Sequence, residues 1–315
     1  MRRALNDLSC YLFSVLCLGL TATTVLADDD FGYRERSGSL VPAYFLEVPA
    51  TVDTLLVADT SNASLLQFSH ANAAVSYQEQ RYLSVGLRGV GKERSGDRRT
   101  PLGVYFLTEE LDTRRLNPKY GAAAFVMDYP NTWDRRLDRT GHGIWLHGVH
   151  PDTPIRPPLD TDGCLALPND QLLDLRPSLT MHSTPVIVTR QIEWTEPEAL
   201  QADRQALHES LQHWQSALRA GDLYAYMSLY HDDFEARGMS KREWARFRME
   251  SFAASPINDL AIDDVLLMRD PEESNLYLAR FRQTTDRPGG RVTTWKRLYW
   301  QRTDSGFRVI TEDAG

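Results

Sequence analysis

Residues 141–167 read GHGIWLHGVHPDTPIRPPLDTDGCLAL, and the two ends of this stretch decide how the chain is to be understood. In a strand over residues 144–147, successive side chains take opposite faces, so Ile144 and Leu146 point one way and Trp145 and His147 the other. His147 therefore leaves the core face at a strand end, next to Gly148, a residue that permits an unusual turn. Downstream, Asp162-Gly163-Cys164 sets a thiol directly after another glycine. The intervening loop carries Pro151, Pro154, Pro157 and Pro158, with Pro168 just beyond, and is stiff and non-helical. A thiol needs a base or a cation nearby to act as a nucleophile, and a histidine brought alongside by such a loop supplies one. Backbone N–H groups of the Gly163–Cys164 turn are candidate donors to an oxyanion.

Outward from this stretch, the chain to about residue 190 is a series of short apolar strands. VDTLLVAD (52–59) and SLLQF (64–68) flank the turn signal Thr60-Ser61-Asn62-Ala63 and predict a hairpin. RYLSVGL, GVYFLTEE, AAFVMDY, GIWLHGV and PVIVTR continue the pattern, interrupted by one short helix over 169–175. This is a mainly β domain over 51–190, preceded by a lead-in of little periodicity over 28–50. After a linker at 191–198 the pattern changes. Leu200, Leu207, Leu211, Trp214 and Leu218 recur at helical spacing up to Gly221, two further helices follow near 223–230 and 241–252, and strands occupy the rest. Residues 199–315 are therefore expected to form an α+β domain.

With 315 residues, two domains are the natural expectation. Apolar residues at 42% and charged residues at 25% exclude a disordered or collagen-like chain. The net charge of −8 argues against nucleic-acid binding, which needs a cationic face. At the N-terminus, Arg2 and Arg3 precede an apolar stretch over 8–20. Val25-Leu26-Ala27 then offers a cleavage site, and Asp28, Asp29 and Asp30 follow. Residues 1–27 are expected to be a cleaved signal peptide rather than a retained anchor, giving a periplasmic protein with no stable membrane insertion. Cleavage removes Cys10 and Cys17, so Cys164 remains as a single free thiol that cannot close an internal disulfide.

The pair IWLHG (144–148) and TDGCLAL (161–167) resembles the signature of the L,D-transpeptidase (YkuD-type) catalytic domain, and GDRRTPLGVYFL (96–107) resembles the stretch that precedes it in that family. The resemblance covers about residues 50–190. It implies a YkuD-type β-sandwich with short helices, His147 as general base and Cys164 as nucleophile. Thr161 stands at the family's serine position, and Gly163 and Gly148 orient substrate or oxyanion. The implied substrate is the peptidoglycan tetrapeptide stem, attacked at the carbonyl of its L-centre with loss of the terminal D-alanine, and no metal or organic cofactor is required. Two positions depart from the pattern: Asp162 replaces a frequent histidine, and Ala166 replaces an arginine that holds a substrate carboxylate in many members. Both are expected of a subgroup with a second C-terminal domain, some of which resemble L,D-carboxypeptidases. The alternatives are thus a carboxypeptidase using the same pair and, in a different class, a catalytically silent cell-wall scaffold.

Three other patterns compete for attention. Residues 86–93, GLRGVGKE, approach a phosphate-binding loop, but Glu93 stands where Ser or Thr is required and Pro101 prevents the helix that would cap a phosphate. Arg88, Lys92, Arg94, Arg98 and Arg99 are expected in a solvated loop that could attract an acidic stem peptide. His142, His147, His150 and Cys164 follow no established zinc spacing. The C-terminal HWQSALRAGDLYAYMSLYHDDFE, WKRLYWQR and GFRVITED resemble the SnoaL-like or nuclear-transport-factor-two-like family. This implies a cone-shaped α+β fold whose Trp214, Tyr224, Tyr226, Tyr230, Trp244 and Trp295 are expected in the core. A cell-wall partner or a homodimer is the role expected of it.

Overall fold

The computed structural model describes residues 40–314; the expected signal peptide lies outside the described residues. The chain is mainly β, with a curled N-terminal sheet and an α+β C-terminal unit.

The N-terminal sheet has eight strands: β1 (Thr54–Asp59), β2 (Ser64–Ala71), β3 (Ala74–Tyr82), β4 (Gly103–Glu110), β5 (Ala124–Met127), β6 (Trp145–His147), β7 (Leu165–Ala166) and β8 (Pro185–Thr189). Their spatial order is β7-β6-β5-β4-β8-β1-β2-β3. The β1–β2 hairpin forms as expected around Thr60 to Ala63, with Ala63 in the left-handed region at φ 49°. β8 lies parallel to β1 and antiparallel to β4, and β7 lies parallel to β6. α1 (Thr132–Arg136) and α2 (Asn169–Leu175) are the short helices of this half.

Every residue of β1 and of β8 is buried. Continuous apolar strands of this kind need cover on both faces. On one face, Leu56, Ala58, Tyr105, Leu107, Val186 and Val188 pack with Leu146, Leu165, Leu172 and Leu175 into a core of the domain's own. On the other, Leu55, Val57, Val104, Phe106 and Ile187 meet a second sheet.

That second sheet comprises β9 (Asp259–Arg269), β10 (Leu276–Arg287), β11 (Gly290–Thr303) and β12 (Gly306–Asp313), all antiparallel. Leu266, Met268, Leu276, Leu278, Tyr299 and Ile310 point from it into the shared layer. The alternate residues Leu267, Tyr277, Ala279, Phe281, Leu298, Trp300 and Val309 point the opposite way, against α3 (Gln201–Ala220), α4 (Leu223–Ser228) and α5 (Lys241–Ala254). Trp214, Tyr226, Tyr230 and Trp244 sit in that outer core as expected, whereas Tyr224 is 88% exposed. It occupies the solvent side of α4, where helical spacing separates it from its buried neighbour Tyr226.

The lead-in has a structural role that its composition does not announce. Val41–Pro42 pairs with Trp194–Thr195, and Phe45–Glu47 adds a fifth strand to the edge of β9. Tyr44 and Phe45 join the shared layer. At the seam, Arg297 of β11 reaches Asp128 at 2.5 Å, just past the end of β5, and grips Asp313 through two nitrogens at 2.8 and 2.7 Å. Planar, bidentate pairing of this kind, largely shielded from water, fixes orientation as well as distance.

A core layer common to both sheets predicts common unfolding. Leu278→Ala should cost about 2–5 kcal/mol. The N-terminal and C-terminal halves should lose structure in one calorimetric transition; two separated transitions would show that the layer does not couple them.

Candidate active site

The thiol and the imidazole reach the same pocket because their strands are neighbours. β7 runs parallel to β6 with Leu165 opposite Leu146 and Ala166 opposite His147, so Cys164 enters just before the ladder and His147 ends it. Both line a pocket of about 250 Å³ together with Lys119, Tyr120, Gly143, Arg156, Asp160, Thr161 and Asp162. Ile144 and Leu146 face the core as expected. His147 lies on the other side of the strand yet is only 3% exposed, because Tyr120 packs edge-on against its ring at 5.1 Å. Tyr120 also meets Trp145 at 4.7 Å and carries Lys119 over its face at 5.0 Å.

His147 Nδ1 lies 2.5 Å from the Gly148 carbonyl oxygen. A carbonyl can only accept, so Nδ1 carries the hydrogen and Nε2 keeps its lone pair. Burial, reinforced by the positive charges of Arg156 and Lys119, pushes the imidazole down to about 4, against the smaller opposing effect of the Gly148 carbonyl. Cys164, 9% exposed, is pushed up by burial and donates to the Gly143 carbonyl at 3.5 Å. At neutral pH the pair therefore rests as neutral thiol and neutral imidazole, and not as a thiolate–imidazolium ion pair.

The turn that presents the thiol depends on Thr161 and Gly163. Thr161 Oγ1 donates to the Cys164 carbonyl at 2.7 Å and accepts from the Gly163 N–H at 3.1 Å. Gly163 has φ +122°, and a Cβ there would lie 2.7 Å from the Arg99 carbonyl oxygen, so glycine is required on both counts. The Gly163 N–H, placed beside an oxyanion by the sequence, is thus occupied by Thr161, and the contribution of Gly163 is the shape of the turn. At Gly148 the backbone does not take the unusual turn that glycine permits. Its φ is not positive; what requires glycine is close approach, since a Cβ would collide with Asn169 Oδ1 and lie 2.9 Å from the Ala122 nitrogen.

Asn169 itself is a residue that the motif reading passed over. From the start of α2 its Oδ1 accepts from Ala122 N at 2.9 Å and Val149 N at 3.1 Å, and its Nδ2 donates to the Val149 carbonyl at 2.8 Å. One side chain therefore ties the turn after His147 to the segment that carries Tyr120. α2 is held in turn by buried Leu172 and Leu175 and by Arg81, which pairs with Asp174 at 2.7 Å. Tyr120, Lys119 and Arg156 were likewise missed; the one available signal was their charge or aromaticity close to Gly and Pro turns.

The departures from the motif are placed by the fold. Ala166 is buried, opposite His147 on one side and bridged to Ser84 on the other, and its methyl group brings no charge to the pocket. Asp162 is exposed, 3.6 Å from Arg98 and 3.9 Å from Lys119. The pocket's accessible cations are instead Lys119 and Arg156, the latter 3.5 Å from Asp160. The loop of residues 86–99 holds no helix. Asp97 accepts from the backbones of Glu93, Arg94 and Arg99 and from Lys92 Nζ at 2.7 Å, so Lys92 is a buried structural cation. Among the described residues no group of three or more His, Cys, Asp or Glu side chains is arranged to hold a metal ion. No helix among them is long and apolar enough to cross a membrane.

Residues 53–188 match the family model of the L,D-transpeptidase catalytic domain (YkuD), and residues 206–313 match that of the Cds6 C-terminal NTF2-like domain. Among solved structures, Bd1075 of Bdellovibrio bacteriovorus is 23% identical, with TM-score 0.72 over 88% of this chain and 98% of that one. The helical cell shape determining protein Pgp2 of Campylobacter jejuni is 22% identical, with TM-score 0.70 over 89% of this chain and 96% of that one. At such identity the likeness is one of fold. No curated protein sequence matches significantly.

Two outcomes follow from this geometry. The rate of Cys164 alkylation by iodoacetamide should rise with a single inflection above the ~8.5 of a free cysteine, without a plateau between pH 5 and 7; such a plateau would reveal a resting ion pair. Asn169→Ala should leave two backbone N–H groups without their acceptor and lower catalytic turnover by about tenfold or more, with a smaller change in melting temperature. Unchanged turnover would mean that the turn after His147 holds without it.

Proposed function

With an L,D-transpeptidase catalytic domain and an NTF2-like domain in one chain as the premise, we propose that this cell-wall enzyme performs cysteine-dependent acyl transfer on peptidoglycan tetrapeptide stems. The observation that carries the reading is a tautomer-fixed imidazole at the end of one strand and a thiol just before its neighbour, opening into one pocket with two accessible cations.

The chemistry begins from neutral partners. His147 Nε2 takes the proton as Cys164 Sγ forms a bond to the carbonyl carbon of the stem's L-centre. A histidine held down at about 4 is a weak base, and this suits the step that follows attack, in which the imidazolium readily gives its proton to the departing D-alanine nitrogen. The amide C–N bond breaks and a thioester remains. Lys119 and Arg156, which line the pocket, supply the positive charge for the stem's carboxylates in this reading, in place of the arginine that many members carry where this chain has Ala166. The thioester then passes to an amine, giving a crosslink, or to water, giving the tripeptide. The exposed, polar rim of Asp160 and Asp162 admits water to the pocket, which favours keeping the L,D-carboxypeptidase outcome as the second reading. The site of action we infer is the periplasm.

Incubation of the full-length protein with tetrapeptide-bearing muropeptides, with products weighed by mass spectrometry, tests this. Crosslinked dimers identify a transpeptidase and tripeptides a carboxypeptidase. Cys164→Ala should abolish turnover, and His147→Gln should lower it by at least about 10³-fold. Absence of turnover by the wild-type protein, or equal turnover by Cys164→Ala, would leave the scaffold reading in its place.

A further inference from the structure

Away from the thiol, the seam between the two sheets holds another cavity, of about 260 Å³. It is lined by Phe106 and Thr108 of β4, Asp128, His182, and Arg280, Trp295 and Arg297 of the C-terminal sheet. Trp295, expected in the core, is thus a partly buried wall of this cavity. Arg280 is the unusual member. It is 5% exposed, and its guanidinium lies over two rings, with its central carbon 4.0 Å from the centre of Trp295 and 4.7 Å from that of Phe106. One nitrogen donates to the His182 carbonyl at 2.6 Å. Among the described residues no carboxylate forms a salt bridge with it, although Asp128, Asp264 and Asp313 attract it from a greater distance. The two acids of the seam are both engaged by Arg297, Asp128 at 2.5 Å and Asp313 through two nitrogens. Burial, together with repulsion from Arg297, holds the Arg280 guanidinium down at about 10.

A buried charge is normally paired, because removal from water costs several kcal/mol that only an opposite charge with good hydrogen bonds restores. The two rings pack against the guanidinium, and the His182 carbonyl takes part of its edge. That bond uses one of its nitrogens, and the side chain lines the cavity, which leaves further N–H groups for a ligand there. Two parallel N–H groups along such an edge match the two oxygens of a carboxylate or phosphate. The cavity suits a small group rather than a drug-sized molecule. Asp128 also lines it, but its charge is already offset by Arg297.

We propose that this seam cavity is an oxyanion-binding site in which the Arg280 edge takes the carboxylate of a small molecule or peptide, flanked by Trp295 and Phe106. The site is built jointly, since Phe106 and Thr108 belong to the catalytic half and Arg280 and Trp295 to the C-terminal half. An anion bound there ties the two sheets together and stabilises the assembled form by mass action.

The test uses the full-length protein, with the indole N–H resonance of Trp295 assigned through Trp295→Phe. Titration with sodium acetate, and separately with inorganic phosphate, is carried out at constant ionic strength against chloride. A saturable shift of the Trp295 resonance with either anion, accompanied by a rise in melting temperature, supports the site. Response to acetate alone identifies carboxylate as the ligand chemistry, and response to both a general oxyanion site. In Arg280→Gln the response should vanish. In Arg280→Lys, which keeps the charge and loses the planar fork, the apparent affinity should fall at least tenfold. A linear, non-saturating shift in the wild-type protein, or a saturable one that persists in Arg280→Gln, overturns the proposal. If Arg280→Gln does not fold, the wild-type and Arg280→Lys titrations decide it alone.

Discussion

One layer of side chains between two sheets governs this molecule. β1, β4 and β8 are apolar on both faces, and only one of those faces is covered by the catalytic half itself. The other is dry because Leu266, Met268, Leu276, Leu278 and Ile310 lie on it. Burial of apolar area at about 25 cal/mol per Å² makes such a layer a major share of the stability of either half. The C-terminal unit is therefore part of the catalytic domain's core, and the strands that carry His147 and Cys164 belong to a sheet whose rigidity depends on it.

Much of this was legible in the sequence, because the signals were local. The hairpin of β1 and β2, the helix over Asn169–Leu175 and the long helix α3 followed from turn residues and apolar spacing within single segments. β3 was harder. Its AVSYQEQRY is largely polar and exposed at a sheet edge, where only pairing with β2 makes it a strand. The strands at 41–47 were unreadable for a related reason: each is two or three residues long, and their partners lie some 150 and 220 positions away. The continuous apolar character of TLLVA and PVIV pointed to strands; that their second face met another sheet depended on residues beyond 260.

The site divides the same way. His147 and Cys164 could be singled out because two chemically committed residues stood beside glycines at a telling spacing. Thr161 and Gly163 came with them. Asn169, Tyr120, Lys119 and Arg156 did not, since their roles exist only when separate loops meet. The proline-rich loop shows how: it is strapped to residues 82–87 by Tyr82 to the Arg156 carbonyl at 2.6 Å, Ser84 to Pro157 at 2.7 Å, and Val85 N to Pro158 at 2.8 Å. Those straps bring Arg156 to the pocket rim, and no property of residues 150–160 alone encodes them.

The protonated, covered state of Cys164 bears on how long the protein stays competent. Oxidants and disulfides react with thiolate, so a sulfur that rests neutral and nine-tenths enclosed is slow to climb toward sulfenic and sulfinic acid. With no second cysteine among the described residues to form an internal disulfide, a sulfenic acid here would depend on an external thiol for its return, and only further oxidation to the sulfinic acid would be lasting. The same burial that keeps the Cys164 sulfur protonated thus acts as its preservative.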